Sequence, residues 1–312
     1  MLKRFSREIA RKYLLSIRAT ALGVALAAPQ MSHADTGQLI VQALTFDGAS
    51  IVVASDAGLW RIDRDRATRF PGPGAVLSLT SHPDRPATLF ATLDTSGLSR
   101  SLDGGATWID AGAGLPPAPV LSVAMAAAAP DTLYAAVAGD GIWRSEDAGE
   151  SWAFVMDRPY LDGTEQDLFS LVSVGSPTGM GGIWLYAGTD VGLTRVPDCF
   201  CRWQDVTAGD AMDALVAGET PASTAPLPPG APVRNLVVAN AAPSQIYAGL
   251  KTGLWASTDA GVNWSLVSPT PVTALAVDPD DPLHLVAART DSLDETRDGG
   301  KTWSPLTFKQ EN

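Results

Sequence analysis

Few residues in this chain have the types and spacing that chemistry requires. There are two cysteines, Cys199 and Cys201, one residue apart. A Cys-x-Cys pair falls short of the four ligands zinc takes, and beyond residue 34 the histidines are only His82 and His284. The two thiols can either close a tight disulfide across a turn or stay reduced. Asp278-Pro-Asp280-Asp281-Pro has the oxygen-rich composition of a calcium loop. It also matches His82-Pro-Asp84-Arg-Pro86, so turn chemistry accounts for it. The sequence has no Gly-rich phosphate loop, nucleophile elbow or metal-spaced His/Glu pair, and no cofactor is expected. What does recur is an aspartate at one place in successive segments: Asp56, Asp94, Asp140, Asp190 and Asp291. A second group, Arg158, Tyr160 and Glu165, lies in the stretch from Met156 to Asp167.

A repeat positions these residues. Four segments share the pattern Ser/Thr-x-Asp-x-Gly-x-(Ser/Thr/Asn)-Trp: Ser101, Asp103, Gly105 and Trp108; Ser145, Asp147, Gly149 and Trp152; Ser257, Asp259, Gly261 and Trp264; Thr296, Asp298, Gly300 and Trp303. A degraded fifth copy keeps the spacing from Asp198 to Trp203, and a still weaker one runs from Asp63 to Phe70. Each copy follows a Gly-Leu-Trp-like strand such as Gly141-Ile142-Trp143. Before that comes a strand like Leu133-Tyr134-Ala135, and before that an apolar alternating strand such as Val272 to Val277. Period-2 patterning marks all three as strands, so each unit reads as four antiparallel strands.

The copies lie roughly 40–60 residues apart, the spacing of propeller blades. The sequence therefore predicts an all-β fold: one six-bladed β-propeller over residues 38–308. Seven blades would need a unit that is not visible. Within each copy the Asp can accept hydrogen bonds from turn N–H groups, the Gly supplies a positive φ, and the Trp packs beside the turn. These residues read as scaffold, and the tryptophans as core.

Hydrophobic residues make up 46% and charged residues 18%, a composition that supports a packed core. Residues 1–34 have the layout of a secretory signal: a basic start (Lys3, Arg4, Arg7, Arg11, Lys12, Arg18), a short apolar stretch, and Ser32-His33-Ala34 as cleavage site. The apolar stretch is too short to span a bilayer. The expectation is an exported protein, periplasmic or extracellular, with one propeller domain over 35–312 and no stable membrane span. Without the leader's six bases and one acid, 16 basic groups face 33 acidic ones, a net charge of −17. Such a surface repels nucleic acid and suits a basic partner.

The segment from Leu133-Tyr134 through Trp152 resembles the Asp-box (BNR-type) repeats of the YVTN/BNR-like propeller superfamily, and the likeness spans nearly the whole mature chain. That group includes sialidases, xyloglucanases, sortilin-type receptors and photosystem II stability/assembly factors. The motif is specific for fold and weak for function. A sialidase would imply an arginine triad, a Tyr nucleophile assisted by Glu, and an Arg-Ile-Pro-like motif before the first box. Here Arg195-Val196-Pro197 mimics that motif but lies in the fourth unit, and of the mature tyrosines only Tyr160, near Glu165, is not in a repeat position. A xyloglucanase would imply two propellers around a cleft with paired carboxylates, and this chain has one. Size and layout are closest to the assembly-factor-like propellers, which implies a non-enzymatic protein that binds other proteins. The acidic balance departs from that family's basic patch. A secreted glycoside hydrolase is the rival expectation.

Strand parity assigns the faces. The one–two and three–four hairpins of every blade share one face. The two–three loops and the blade connections share the other. All Asp boxes are thus expected together, opposite a face holding the five recurrent aspartates, Arg158, Tyr160 and Glu165, and the long Gln204–Pro232 connection. That second face is where a protein partner or small polar ligand is expected.

Overall fold

The computed structural model describes residues 40–95, 97–178, 182–207, 218 and 224–311. The leader reading, and much of the Gln204–Pro232 connection, lie outside the described residues. Among the described residues there is no helix, and hence none long and apolar enough to cross a membrane.

Six antiparallel sheets follow one another along the chain. Blade 1 holds β1 (Val41–Asp47), β2 (Ser50–Ser55), β3 (Gly58–Asp63) and β4 (Arg66–Phe70). Blade 2 holds β5 (Val76–Thr80), β6 (Leu89–Leu93), β7 (Leu98–Ser101) and β8 (Ile109–Asp110). Blade 3 holds β9 (Val120–Ala126), β10 (Ala129–Val137), β11 (Gly141–Ser145) and β12 (Ala153–Asp157). A small hairpin, β13 (Tyr160–Leu161) and β14 (Thr164–Glu165), precedes blade 4, which holds β15 (Ser170–Val174), β16 (Trp184–Gly188) and β17 (Leu193–Pro197). Blade 5 holds β18 (Asn235–Val238), β19 (Ile246–Leu250), β20 (Gly253–Ser257) and β21 (Ser265–Ser268). Blade 6 holds β22 (Ala274–Val277), β23 (Leu285–Ala288), β24 (Leu293–Thr296) and β25 (Ser304–Pro305).

The first strand of each blade is innermost. These strands touch in cyclic order, and β22 returns to β1, so the sheets close into a six-bladed ring. A last strand, β26 (Lys309–Glu311), pairs in parallel with β4, with Lys309 opposite Arg66. The chain's end is thereby tied to its first blade, while Leu306 and Phe308 pack on the cluster that joins blades 6 and 1. The core lies in layers between blades, and the second strands are its centre: β2 is buried throughout, as are Leu89–Thr92 of β6 and β19.

The four full repeat copies fold into one corner. Asp103 accepts from the Thr107 N–H (2.8 Å), the Thr107 hydroxyl (2.6 Å) and the Ser101 hydroxyl (2.8 Å). The Ser101 oxygen in turn accepts the Gly105 N–H at 2.8 Å. Asp147, Asp259 and Asp298 repeat this with Ser151 and Ser145, Asn263 and Ser257, and Thr302 and Thr296. The glycine needs its positive φ, 97° at Gly105 and 93° at Gly300. It also needs to lack a side chain: a Cβ on Gly300 would fall 2.5 Å from Leu254 of the preceding blade, and one on Gly105 2.9 Å from Leu59. The indoles of Trp108, Trp264 and Trp303 donate to the glycine carbonyls of their own corners. Those of Trp152 and Trp203 donate to Ala111 and Asp157 of the preceding blade.

Each corner is fastened to the one–two hairpin of its own blade, which fixes both on one face as parity requires. Gly104, Ala148, Ala260 and Gly299 N–H groups donate to Ala87, Asp131, Ser244 and Leu283 carbonyls. Two units differ from the sequence reading. The Asp63–Phe70 copy is a plain two-residue hairpin, with Arg64 at φ 57° and no corner. Blade 4 has three strands, its fourth reduced to the single bridge between Arg195 and Gln204. Cys199 and Cys201 there form a disulfide.

The corner bonds hold Asp103 and Asp147 down to pKa values of about 2, through hydroxyl and backbone donors. A carboxylate lowered on folding stabilises the fold above its unfolded value of roughly 4, and that contribution is lost as pH falls through the folded value. Asp147→Asn should therefore lower Tm at pH 7, and its difference from wild type should shrink as thermal melts are taken toward pH 2. Phe308→Ala, which loosens the last strand, should cost about 1–2 kcal/mol in denaturant unfolding, less than the ~3–5 of a fully buried Phe.

Candidate functional site

The six inner strands enclose an axial channel of about 500 Å³. Its wall is built mostly of apolar and hydroxyl side chains, and among the described residues Arg234 is the one charged group that lines it. The corner-bearing end is barred. The Asn240 amide of blade 5 lies 3.3 Å from His82 Nε2 of blade 2, across the axis. His82 Nδ1 accepts the Asp84 N–H at 3.1 Å, and its Nε2 also lies 3.2 Å from the Ala127 carbonyl. Thr45 and Ser81 add a hydroxyl pair at 3.1 Å.

The opposite end is open, and each blade presents one side chain around it: Gln42, Leu77, Leu121, Phe169, Arg234 and Thr273. Leu77 is exposed. The Arg234 guanidinium lies 3.8 Å from the Phe169 ring centre and pairs with Asp190 at 2.7 Å. Asn235 donates to the Thr273 carbonyl at 3.2 Å. The exposed ion pair is worth ~1 kcal/mol or less, and stacking on Phe169 contributes a similar amount. The arrangement holds a flat cation and an aromatic ring at the rim of a neutral channel.

All five recurrent aspartates sit in two–three loops on this face, with varied roles. Asp56 accepts the Ile40 N–H at 3.2 Å, and Asp140 accepts the Trp143 indole N–H at 2.5 Å. Asp190 serves Arg234. Asp94 is exposed in the β6–β7 turn, and Asp291 lies in the β23–β24 turn. Among the described residues no three His, Cys, Asp or Glu side chains gather closely enough to hold a metal ion.

Arg158, Tyr160 and Glu165 do come together, on the β13–β14 hairpin between blades 3 and 4. Arg158 bonds Glu165 and reaches Asp167 at 3.2 Å, and Asp167 also holds the Gly139 N–H at 2.9 Å. Tyr160 stands out from the surface at 71% exposure, its hydroxyl on the Gly163 carbonyl at 2.7 Å. Three arginines of this face are taken by carboxylates, Arg158 by Glu165, Arg234 by Asp190 and Arg289 by Asp294 at 2.9 Å, while Arg69 donates to the Ala57 carbonyl. Arg195, of the Arg-Val-Pro segment, stacks on Trp184 at 4.2 Å and bonds Tyr186, within the blade 4–5 contact.

Sequence reasoning missed Phe169 and Arg234. Both directly precede inner strands, and an aromatic residue and a cation at the equivalent start of neighbouring units was the available signal.

No family model matches the chain, and no curated protein matches it. Solved structures do, through their fold. The chain is similar to the GH74 xyloglucanase from Xanthomonas campestris, at 18% identity and a TM-score of 0.53, over 86% of this chain and 46% of that one. It is similar to the extracellular domain of a putative one-component system from B. thetaiotaomicron, at 13% identity and 0.52, over 88% and 34%. It is similar to a chain of the COPII outer coat vertex on membranes, at 12% identity and 0.56, over 86% and 74%. The chain thus spans less than half the length of the xyloglucanase. These likenesses are to β-propellers, and they hold for enzymes and for a coat component alike.

The hairpin clamp makes a direct prediction. Arg158→Ala should raise amide hydrogen exchange in residues 159–166 severalfold and leave the blade strands unchanged, as mass spectrometry of peptides would show.

Proposed function

We propose that this protein is a non-enzymatic, exported Asp-box propeller that binds a segment of a protein partner at the open channel mouth. In this reading residues 1–34 are a cleaved signal, 35–312 are the single domain, and the role is complex assembly or scaffolding outside the cytoplasm. The observation that carries it is the mouth itself: Arg234 held over the Phe169 ring, with exposed Leu77 across the mouth, above a channel whose other described lining residues are uncharged. A neutral lining suits insertion of an apolar or polar side chain. Glycosidic cleavage by paired carboxylates asks for two acids facing the substrate. The acidic balance around the rim favours a partner with basic flanks.

The test is affinity capture from the native extracytoplasmic fraction with the wild type and with the double variant Phe169→Ala/Arg234→Ala. A specific partner should be retained by the first and lost, by about ten-fold or more, from the second. Hydrolysis of xyloglucan or of fluorogenic glycosides by the wild type, abolished in the double variant, would instead establish the glycoside hydrolase reading.

A further inference from the structure

Neighbouring blades are linked by a side chain that crosses to the next corner. Arg61 of β3 donates to the Gly104 carbonyl (3.2 Å), Arg100 of β7 to Ala148 (2.8 Å), and the Tyr186 hydroxyl of β16 to Ala260 (2.8 Å). Blade 3 carries both kinds of donor, Tyr134 and Arg144, directly opposite each other in the β10–β11 register. Blade 4 offers them no such carbonyl. Its degraded segment turns through Phe200 at φ 52°, and that ring packs on Tyr134 at 5.8 Å between centres.

A cavity of about 290 Å³ opens where the corner would be. Thr132, Tyr134, Arg144, Glu146 and Asp198 line it, with Ala126, Ala128 and Ile183 as apolar wall. Its polar groups are left over from the clamp. Tyr134 is 3% exposed, yet its hydroxyl has none of the cross-blade bonds made by Tyr186 and Tyr247. Asp198 accepts none of the turn hydrogen bonds that engage Asp103, Asp147, Asp259 and Asp298. Its carboxylate is set against Gly182, where a Cβ would fall 1.7 Å from Oδ1. Arg144 is taken by Glu146 at 3.1 Å.

We propose that this cavity binds an alkyl cation: an ammonium or guanidinium on an aliphatic stem, as on a lysine or arginine side chain. Two carboxylates against one guanidinium leave a net negative charge, and the Asp198 carboxylate accepts no hydrogen bond from the described residues. Burial, and then the charge of Asp198, push the Tyr134 hydroxyl up to about 12, so it stays a neutral phenol beside the ligand. The apolar wall receives the stem, in the manner of any long charged side chain. The site is on the corner-bearing face, away from the channel mouth, so it stands or falls independently of the function proposed above.

The test is calorimetric titration of the full chain with N-acetyl-arginine amide and with n-butylamine, using N-acetyl-norleucine amide as the uncharged control. At least one cation should bind saturably and the control should not. Asp198→Asn should weaken binding about ten-fold or more, and Tyr134→Phe a few-fold. Both variants should keep the wild-type Tm, because neither group is bonded in the free protein. A preference for the arginine probe assigns a guanidinium occupant, and a preference for butylamine an ammonium one. Absence of saturable binding by either cation, binding unchanged in Asp198→Asn, or a Tm loss there like that of Asp147→Asn, would overturn the proposal.

Discussion

The contact between a repeat corner and the blade before it is the constraint on which this wheel rests. A four-stranded blade has two apolar faces and cannot bury either alone. The corner glycine lets a backbone turn come within van der Waals reach of the preceding blade's third-strand leucine, as Gly105 does at Leu59 and Gly300 at Leu254. No side chain fits there, so the approach depends on glycine for space as well as for its positive φ. The carboxylate two residues earlier keeps the turn in that shape by absorbing its otherwise unpaired N–H groups. Packing and hydrogen bonding thus act on the same few atoms. The second strands behind them can then be almost wholly apolar, because each is covered from both sides.

Where the clamp is missing, its neighbours compensate in different ways. Blade 1 has a two-residue hairpin in place of a corner. Its outer edge is covered by β26, and Phe308 and Leu306 fill the seam with blade 6. Blade 4 has no such corner, and its fourth strand is reduced to a single bridge. Trp203 still reaches back to the Asp157 carbonyl and Phe200 still packs on Tyr134, so the ring stays shut, but a cavity remains between them. Beside that cavity the Tyr134 hydroxyl lacks the cross-blade bond that Tyr186 and Tyr247 make.

The same economy separates the two ends of the channel. Corners and one–two hairpins are bonded to each other and crowd one face, where His82 and Asn240 meet across the axis. The two–three loops owe nothing to the corners. Several are held by an aspartate that accepts an indole or amide N–H or pairs with an arginine, as Asp140, Asp56 and Asp190 do, and they leave the channel mouth open. A rigid ring with its variable segments gathered on one face is the common setting for binding sites.

Fold and face were legible in the residues. The Asp…Gly…Trp spacing recurs because one turn geometry recurs, and strand parity is a matter of counting, so six blades and the placement of Asp56, Asp94, Asp140, Asp190 and Asp291 followed from local pattern. The grouping of Arg158, Tyr160 and Glu165 was legible for the same reason, since a hairpin is a short-range object. Tertiary structure alone decided what meets across blades. Arg234 on Phe169, Asn240 against His82, and Tyr134 facing Asp198 join residues 64 to 158 positions apart. Their encounter depends on ring closure and blade twist, which no window of sequence contains. A repeat encodes its own hairpins through contacts a few residues long, whereas a site between blades exists only once all six have packed.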